Sequence, residues 1–212
     1  MRDCIFLLAD KNMKAAFEGF LTRESFYQSL GCGIFDFDPC QDIAVASGDS
    51  DPGLYIRGHE LLRPYQATHR YAVVVLDAEW EGSPGKEAII GNLTENIKKT
   101  GWKSGCFVVI AIEPELENWI WQQNDHVAKG LGFKDSKELM TNKELQAAWP
   151  QGQPKPTSPK DILEKLLLKR KIPRSSALYK KITSKISIKR CLDSEFQRLC
   201  ESLRTWFPRE NR

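Results

Sequence analysis

Hydrophobic positions follow two alternating patterns along the first two thirds of the 212-residue chain. Uninterrupted apolar runs occur at 4–9 (CIFLLA), at 72–76 within YAVVVLDAEWEG, and at 106–112 (CFVVIAI). A run without polar alternation marks a strand covered on both faces, as in a parallel sheet with helices on each side. Between the runs the period changes to that of an amphipathic helix. Met13, Ala16, Phe17, Phe20 and Leu21 share one face after the first run, and Ile90, Leu93 and Ile97 share one within a helix over about 87–99. A further short strand is predicted at 33–37 (GIFDF), then a long polar loop, DPCQDIAVASGDSDPG, and a short helix around 60–62. Strands alternating with helices predict an α/β fold with a mostly parallel four-stranded sheet flanked by helices.

From about residue 130 the strand signals stop. WPQGQPKPTSP reads as a linker, after which Ser158 and Pro159 open a helix with Asp161 as capping-box partner and Ile162, Leu163, Leu166 and Leu167 as its apolar stripe. A helix over about 178–186 and another aligning Phe196, Leu199, Cys200 and Leu203 follow. The predicted organisation is an α/β domain over 1–130 and a helical C-terminal region over 131–212, either packed on the sheet or forming a small helical subdomain.

Composition narrows the chemistry. The six cysteines form no Cys-x-x-Cys pair and several sit in apolar runs, which suits reduced core thiols; the three histidines are far apart and match no zinc-ligand spacing. The apolar run near the N-terminus is too short for a signal segment or a membrane span, so a soluble, cytoplasmic protein without membrane partners is expected. The formal net charge of +3 hides segregation: residues 1–150 carry 15 Lys/Arg against 22 Asp/Glu, whereas 151–190 carry 12 against 2. An acidic body joined to a basic segment suits a polyanion binder, and equally a solvated lysine-rich helix face.

Acidic residues cluster where the predicted strands end. Asp10 follows the first, Asp77 and Glu79 the third, and Glu113, Glu115 and Glu117 the fourth. In a parallel sheet these ends lie on one edge, where α/β folds place their sites. Like charges gathered there need a cation, a proton or ample water, so the edge is either a solvated acidic turn or a divalent-metal site. An all-oxygen donor set without His or Cys favours a hard cation, Mg²⁺ or Mn²⁺, able to polarise a phosphodiester and activate water. Within IEPELENWIW a helix would put Glu113 and Glu117 on one face and turn Glu115 away, which ranks Glu117 first and Glu115 last. Lys155 and Lys160, in a turn leading into a helix N-terminus, are candidates for holding phosphate. Lys169, Arg170, Lys171 and Arg174 extend the basic tract, and no Walker loop, Rossmann fingerprint or nucleophile elbow is present.

The strings FLLADKNMKAAFEGFLTR, VVLDAEWEG, PELENWIW, KPTSPK, RSSALYKKI and the terminal WFP resemble the fourth component of bacterial methylation-associated antiphage defence systems. More distantly the layout resembles the Toprim-like domains of bacterial defence proteins. The resemblance implies a Toprim-like sheet in which Asp10 stands where that pattern has a glutamate, Asp77 matches the first aspartate of Asp-x-Asp, Glu79 replaces the second, and Glu117 matches the helix glutamate. It implies a nuclease or phosphoryl-transfer subunit in which Asp77, Glu79 and Glu117 hold Mg²⁺ or Mn²⁺, Asp10 assists, Lys155 and Lys160 bind phosphate, and DNA, RNA and other defence subunits are partners. The competing expectation is a non-catalytic subunit whose basic helices bind protein or nucleic acid.

Overall fold

The computed structural model describes residues 1–24, 26–46, 50–191 and 193–209. Four strands form one all-parallel sheet: β1 (Arg2–Leu8), β2 (Ile43–Val45), β3 (His69–Asp77) and β4 (Phe107–Ile112), in the order β2-β1-β3-β4. The apolar runs are its centre, and Cys4 to Leu8, Ala72 to Leu76 and Val109 to Ile112 are essentially inaccessible. Burying such a run on both faces requires helices above and below, and the chain supplies them. In chain order the α-helices are α1 (Lys11–Leu21), α2 (Phe26–Leu30), α3 (Ser50–Leu62), α4 (Lys86–Lys99), α5 (Glu117–Ile120), α6 (Asp125–Gly130), α7 (Ser136–Met140), α8 (Lys143–Ala148), α9 (Pro159–Lys169), α10 (Ser176–Thr183) and α11 (Ser194–Trp206). Of these, α1 and α11 lie against one face of the sheet, with α10 packed on the outside of α1, and α3 and α4 lie against the other.

Two expectations about the second strand are corrected. Residues 33–37 form no strand. Gly33 N–H donates to the Phe207 carbonyl at 2.6 Å and the Phe35 ring stacks on Phe207 at 4.5 Å, so burial of aromatic surface against the C-terminal segment takes this stretch away from the sheet. The strand is instead Ile43–Val45, inside the stretch expected to be a polar loop, and the start of α3 occupies that stretch's end; its residues 47–49 lie outside the described residues. The helix expected around 60–62 is the last turn of the thirteen-residue α3.

In the C-terminal third the apolar stripes are buried as expected, Ile162, Leu163, Leu166 and Leu167 on α9 and Phe196, Leu199, Cys200 and Leu203 on α11. The capping box is not formed, because Ser158 makes no side-chain cap bond and the Lys160 N–H is taken by Glu115 at 2.9 Å. These helices close over the α/β layer through one continuous core, in which the Trp119 ring packs between Phe17 of α1 and Phe196 of α11, at 6.1 and 4.8 Å. Gly19 lets α1 and α10 approach: a Cβ there would collide with the Thr183 hydroxyl and lie 2.7 Å from the Lys180 carbonyl. No helix among the described residues is long and apolar enough to cross a membrane.

Candidate functional site

The strand order reverses direction between β1 and β3. From β1 the chain leaves through α1 on one face to reach β2, whereas from β3 it leaves through α4 on the other to reach β4. The carboxyl ends of β1 and β3 therefore flank a topological switch point, the position where open α/β sheets bind ligands. The register sets Leu8 beside Val75, so continuing both chains two residues brings Asp10 level with Asp77.

Each strand contributes one carboxylate to this edge: Asp10 after β1, Asp51 in the first turn of α3 after β2, Asp77 at the end of β3, and Glu117 at the start of α5 after β4. They are tied together by backbone. Asp77 N–H donates to Asp51 Oδ1 at 2.7 Å, and Leu116 N–H donates to Asp77 Oδ1 at 2.8 Å. Asp10 caps α1 through the Met13 N–H at 2.7 Å. Burial, and after it the charges of Asp51, Glu117 and Asp10, push the Asp77 carboxyl well above the usual range, against the single bond from Leu116. Asp51 is also raised, by burial first and by Asp10, with the Asp77 N–H and the Lys160 ammonium opposing. Asp77 Oδ2 has no hydrogen-bond partner among the described residues.

Glu117 is held differently. It is 2% exposed, and its Oε1 accepts from the Tyr179 hydroxyl and, at 2.9 Å, from Arg174 Nη2. The single turn that carries it is fixed by Asp193, whose carboxylate accepts from Trp119 Nε1 at 2.9 Å and Asn118 Nδ2 at 2.8 Å. Burial and Glu117 raise the Tyr179 phenol far above its ordinary value.

The other predicted residues separate from this group. Glu79, two positions beyond Asp77, is exposed and lines a neighbouring cleft of about 590 Å³ with Trp80, Lys86, Glu113, Glu115 and Asp161. Glu113 does not share a helix face with Glu117, because α5 starts only at Glu117; its carboxylate instead accepts from Lys86 Nζ at 2.7 Å. Glu115 satisfies the first turn of α9 through Lys160 N–H, which makes it the helix-dipole residue of a different helix from the one expected. Lys155 donates to the Trp121 carbonyl at 2.7 Å and its ammonium is depressed by burial, so it ties α5 to the turn before α9. Lys160, by contrast, lies 3.8 Å from Glu115 Oε2 and within electrostatic reach of Asp51, at the edge itself.

The basic segment is largely neutralised by the acidic body. Lys165 and Lys169 converge on Glu144 at 3.0 and 2.9 Å, Arg170 reaches Glu138 at 2.9 Å, and Lys180 reaches Glu18 at 2.8 Å.

Among models of protein families, curated proteins and solved structures, none matches this chain. Sequence reasoning missed two residues of the site, Asp51 and Tyr179. For Asp51 the available signal was the Asp-Pro pair at 51–52, a helix-start signature in what reads as a loop. Tyr179 had none, since only the tertiary fold brings α10 beside α5.

Proposed function

We propose that the carboxylate edge binds a divalent cation, Mg²⁺ or Mn²⁺, and acts on phosphate esters of nucleic acid, as a nuclease or other phosphoryl-transfer subunit of a bacterial antiphage defence system. The observation that supports this reading is the convergence of one carboxylate from the end of each of four parallel strands or just beyond it on a switch point, with Asp77 pushed up by burial and then by its three neighbours. The donor chemistry fits a hard cation, since every donor is oxygen and Asp77 Oδ2 is open. Among the described residues no group of three or more His, Cys, Asp or Glu side chains is placed so as to hold a metal ion by itself. Mg²⁺ commonly needs none, because it retains waters and takes one or two carboxylates together with substrate phosphate oxygens.

In this reading Asp77 and Asp51 are the primary holders, Asp10 stands level with Asp77 to accept a proton, and Lys160 steers the phosphate. Glu117 supports the site from below through Arg174 and Tyr179, and Glu79 lies on the adjoining cleft. When bound, the cation would supply polarisation of the phosphodiester and a more acidic water. A second reading, a non-catalytic subunit that binds protein or nucleic acid, is favoured by the occupation of Glu117 by Arg174 and Tyr179.

Two readouts test the proposal. Mn²⁺ or Mg²⁺ should raise the melting temperature of the wild-type chain, by the equivalent of about 2.7 kcal/mol at a hundredfold excess over Kd, and should leave Asp77→Asn unmoved. Plasmid nicking should require the metal and Asp77. No thermal shift with either ion, together with no cleavage by the chain alone or with partner subunits, would leave the binding-subunit reading standing in its place.

A further inference from the structure

Arg174 lies in the turn between α9 and α10, one carboxylate away from Asp77. A guanidinium carries five N–H donors in a fixed plane. Here Nε donates to the Tyr179 hydroxyl at 2.7 Å, Nη2 donates to Glu117 Oε1 at 2.9 Å, and Nη1 is 3.2 Å from Glu164 Oε1. Two N–H groups on the terminal nitrogens have no partner among the described residues.

The three partners are not equivalent. Tyr179 and Glu117 are buried, and they fix the plane of the guanidinium from the inside. The Glu164 side chain is 45% exposed and that of Arg174 is 32% exposed, so the outer contact is the one that solvent, or a ligand, can replace. A carboxylate on the outer face of a rigid arginine fork offers the same charge and the same kind of oxygen acceptor as a phosphate.

We propose that Arg174 is the phosphate-contacting residue of the carboxylate edge, and that Glu164 occupies its outer face until a substrate phosphate displaces it. The proposal deepens the reading given above and rests on it for the substrate class. It assigns Glu117 and Tyr179 as positioning residues that hold the fork, and it makes Glu164 a built-in competitor whose removal strengthens substrate binding. A purely structural ion pair between α9 and the following turn has the opposite consequence, since loss of Glu164 would then leave anion binding alone.

The experiment measures binding of a fluorescently labelled single-stranded oligonucleotide to the full chain by anisotropy at low salt, with and without Mn²⁺. Glu164→Gln should tighten binding about three- to tenfold in the wild-type background and not in the Arg174→Lys background, because lysine keeps the charge and loses the fork. Glu60→Gln, which removes the same charge from the exposed face of α3, is the control and should change affinity by less than twofold. Equal tightening by Glu164→Gln in the wild-type and Arg174→Lys backgrounds, or by Glu60→Gln, overturns the proposal, as does no tightening at all. The two readings fail separately. If Mn²⁺-dependent cleavage occurs with the KM of Arg174→Lys unchanged, the inference falls and the proposed activity stands. If metal shift and cleavage are absent while the Arg174-dependent tightening persists, the phosphate contact stands and the activity falls.

Discussion

Two aspartates sit at opposite ends of the same sheet, Asp42 fully buried and Asp77 half-buried, and the fold treats them in opposite ways. At the amino edge, Asp42 is fully buried and surrounded by donors: Arg2 Nε, Arg2 Nη2 at 2.6 Å, the Asp38 N–H at 2.7 Å, and His69 Nε2 at 3.2 Å. Arg2 begins β1 and His69 begins β3, so this carboxylate fastens the loop before the edge strand β2 to the starts of β1 and β3. At the carboxyl edge, Asp77 receives one backbone N–H and faces three other carboxylates. A buried charge with matched donors is stable where it stands, whereas a carboxylate among carboxylates requires a proton or a cation from outside. The first arrangement serves the fold, and the second leaves the chain responsive to what it binds.

The largest expected effect is at the compensated end. Asp42→Ala leaves the His69 ring and the Asp38 N–H without their acceptor and should destabilise by about 2–3 kcal/mol, the usual scale for unpaired buried donors. For a chain of this size each kcal/mol is about 2–4 °C in melting temperature, so a loss of less than about 3 °C would show that the amino-edge network is not a staple. Asp77→Asn should have the opposite sign. The folded-state pKa of Asp77 is raised, so its protonation favours the folded state below the ordinary carboxylate pKa and that contribution is lost as pH rises through the folded value. Asparagine keeps an acceptor for the Leu116 N–H and removes the charge. The variant should therefore match wild type near pH 4 and exceed it by about 1–2 kcal/mol at pH 8, a gain in stability at the expense of the site. Urea unfolding at the two pH values reads this directly, and a variant less stable than wild type at pH 8 would show that Asp77 is compensated after all.

How much of this contrast was legible in the sequence depends on which interactions set each element. The three apolar runs and the helical stripes of α1, α9 and α11 are local patterns, and the structure reproduces them with shifts of a residue or two. β2 is only three residues long and is held in place by the parallel register with Phe6 to Leu8, so no periodicity betrays it. The same holds for 33–37, whose aromatic residues look like strand residues and are claimed by Phe207, at the far end of the chain. At the site, Asp10, Asp77 and Glu117 were readable because they end a strand or follow one closely. The separation of Lys155 from Lys160 was not, because it depends on which carbonyl or carboxylate each ammonium meets. The Asp42 network leaves no trace in the sequence, since Asp42 lies 40 residues from Arg2 and 27 from His69 and none follows a motif.

A smaller effect separates the two edges by pH. Burial depresses the His69 pKa, with Asp42 partly offsetting it, so His69 is neutral in the folded protein; that contribution is complete above the ordinary value near 6.5 and is lost as pH falls through the folded value. His69→Gln, whose amide can still donate to Asp42, should flatten the decline in stability as pH falls below about 6.5. The decline of the wild type above pH 4 attributed to Asp77 should remain in this variant, so the two edges report as separate slopes with opposite signs. A single mutation that removed both slopes would show that the edges titrate as one network.

The weakest expected effect concerns charges that are compensated at the surface. Glu144 joins Lys165 and Lys169 of the basic segment at 3.0 and 2.9 Å, and both lysines are more than half exposed. Pairs of this kind contribute only about 0.2–1 kcal/mol, because water and salt screen them and two long side chains lose rotamer freedom. Glu144→Gln should therefore lower stability only slightly at low salt, and by nothing measurable near 1 M salt, where the screening length is about 3 Å. A loss as large as that of Asp42→Ala that persists in high salt would place Glu144 with Asp42 as a structural anion. Persistence is the decisive part of that outcome, since a charge that must be matched inside the fold keeps its effect when the solvent's ions are plentiful, and a charge merely neighboured at the surface does not.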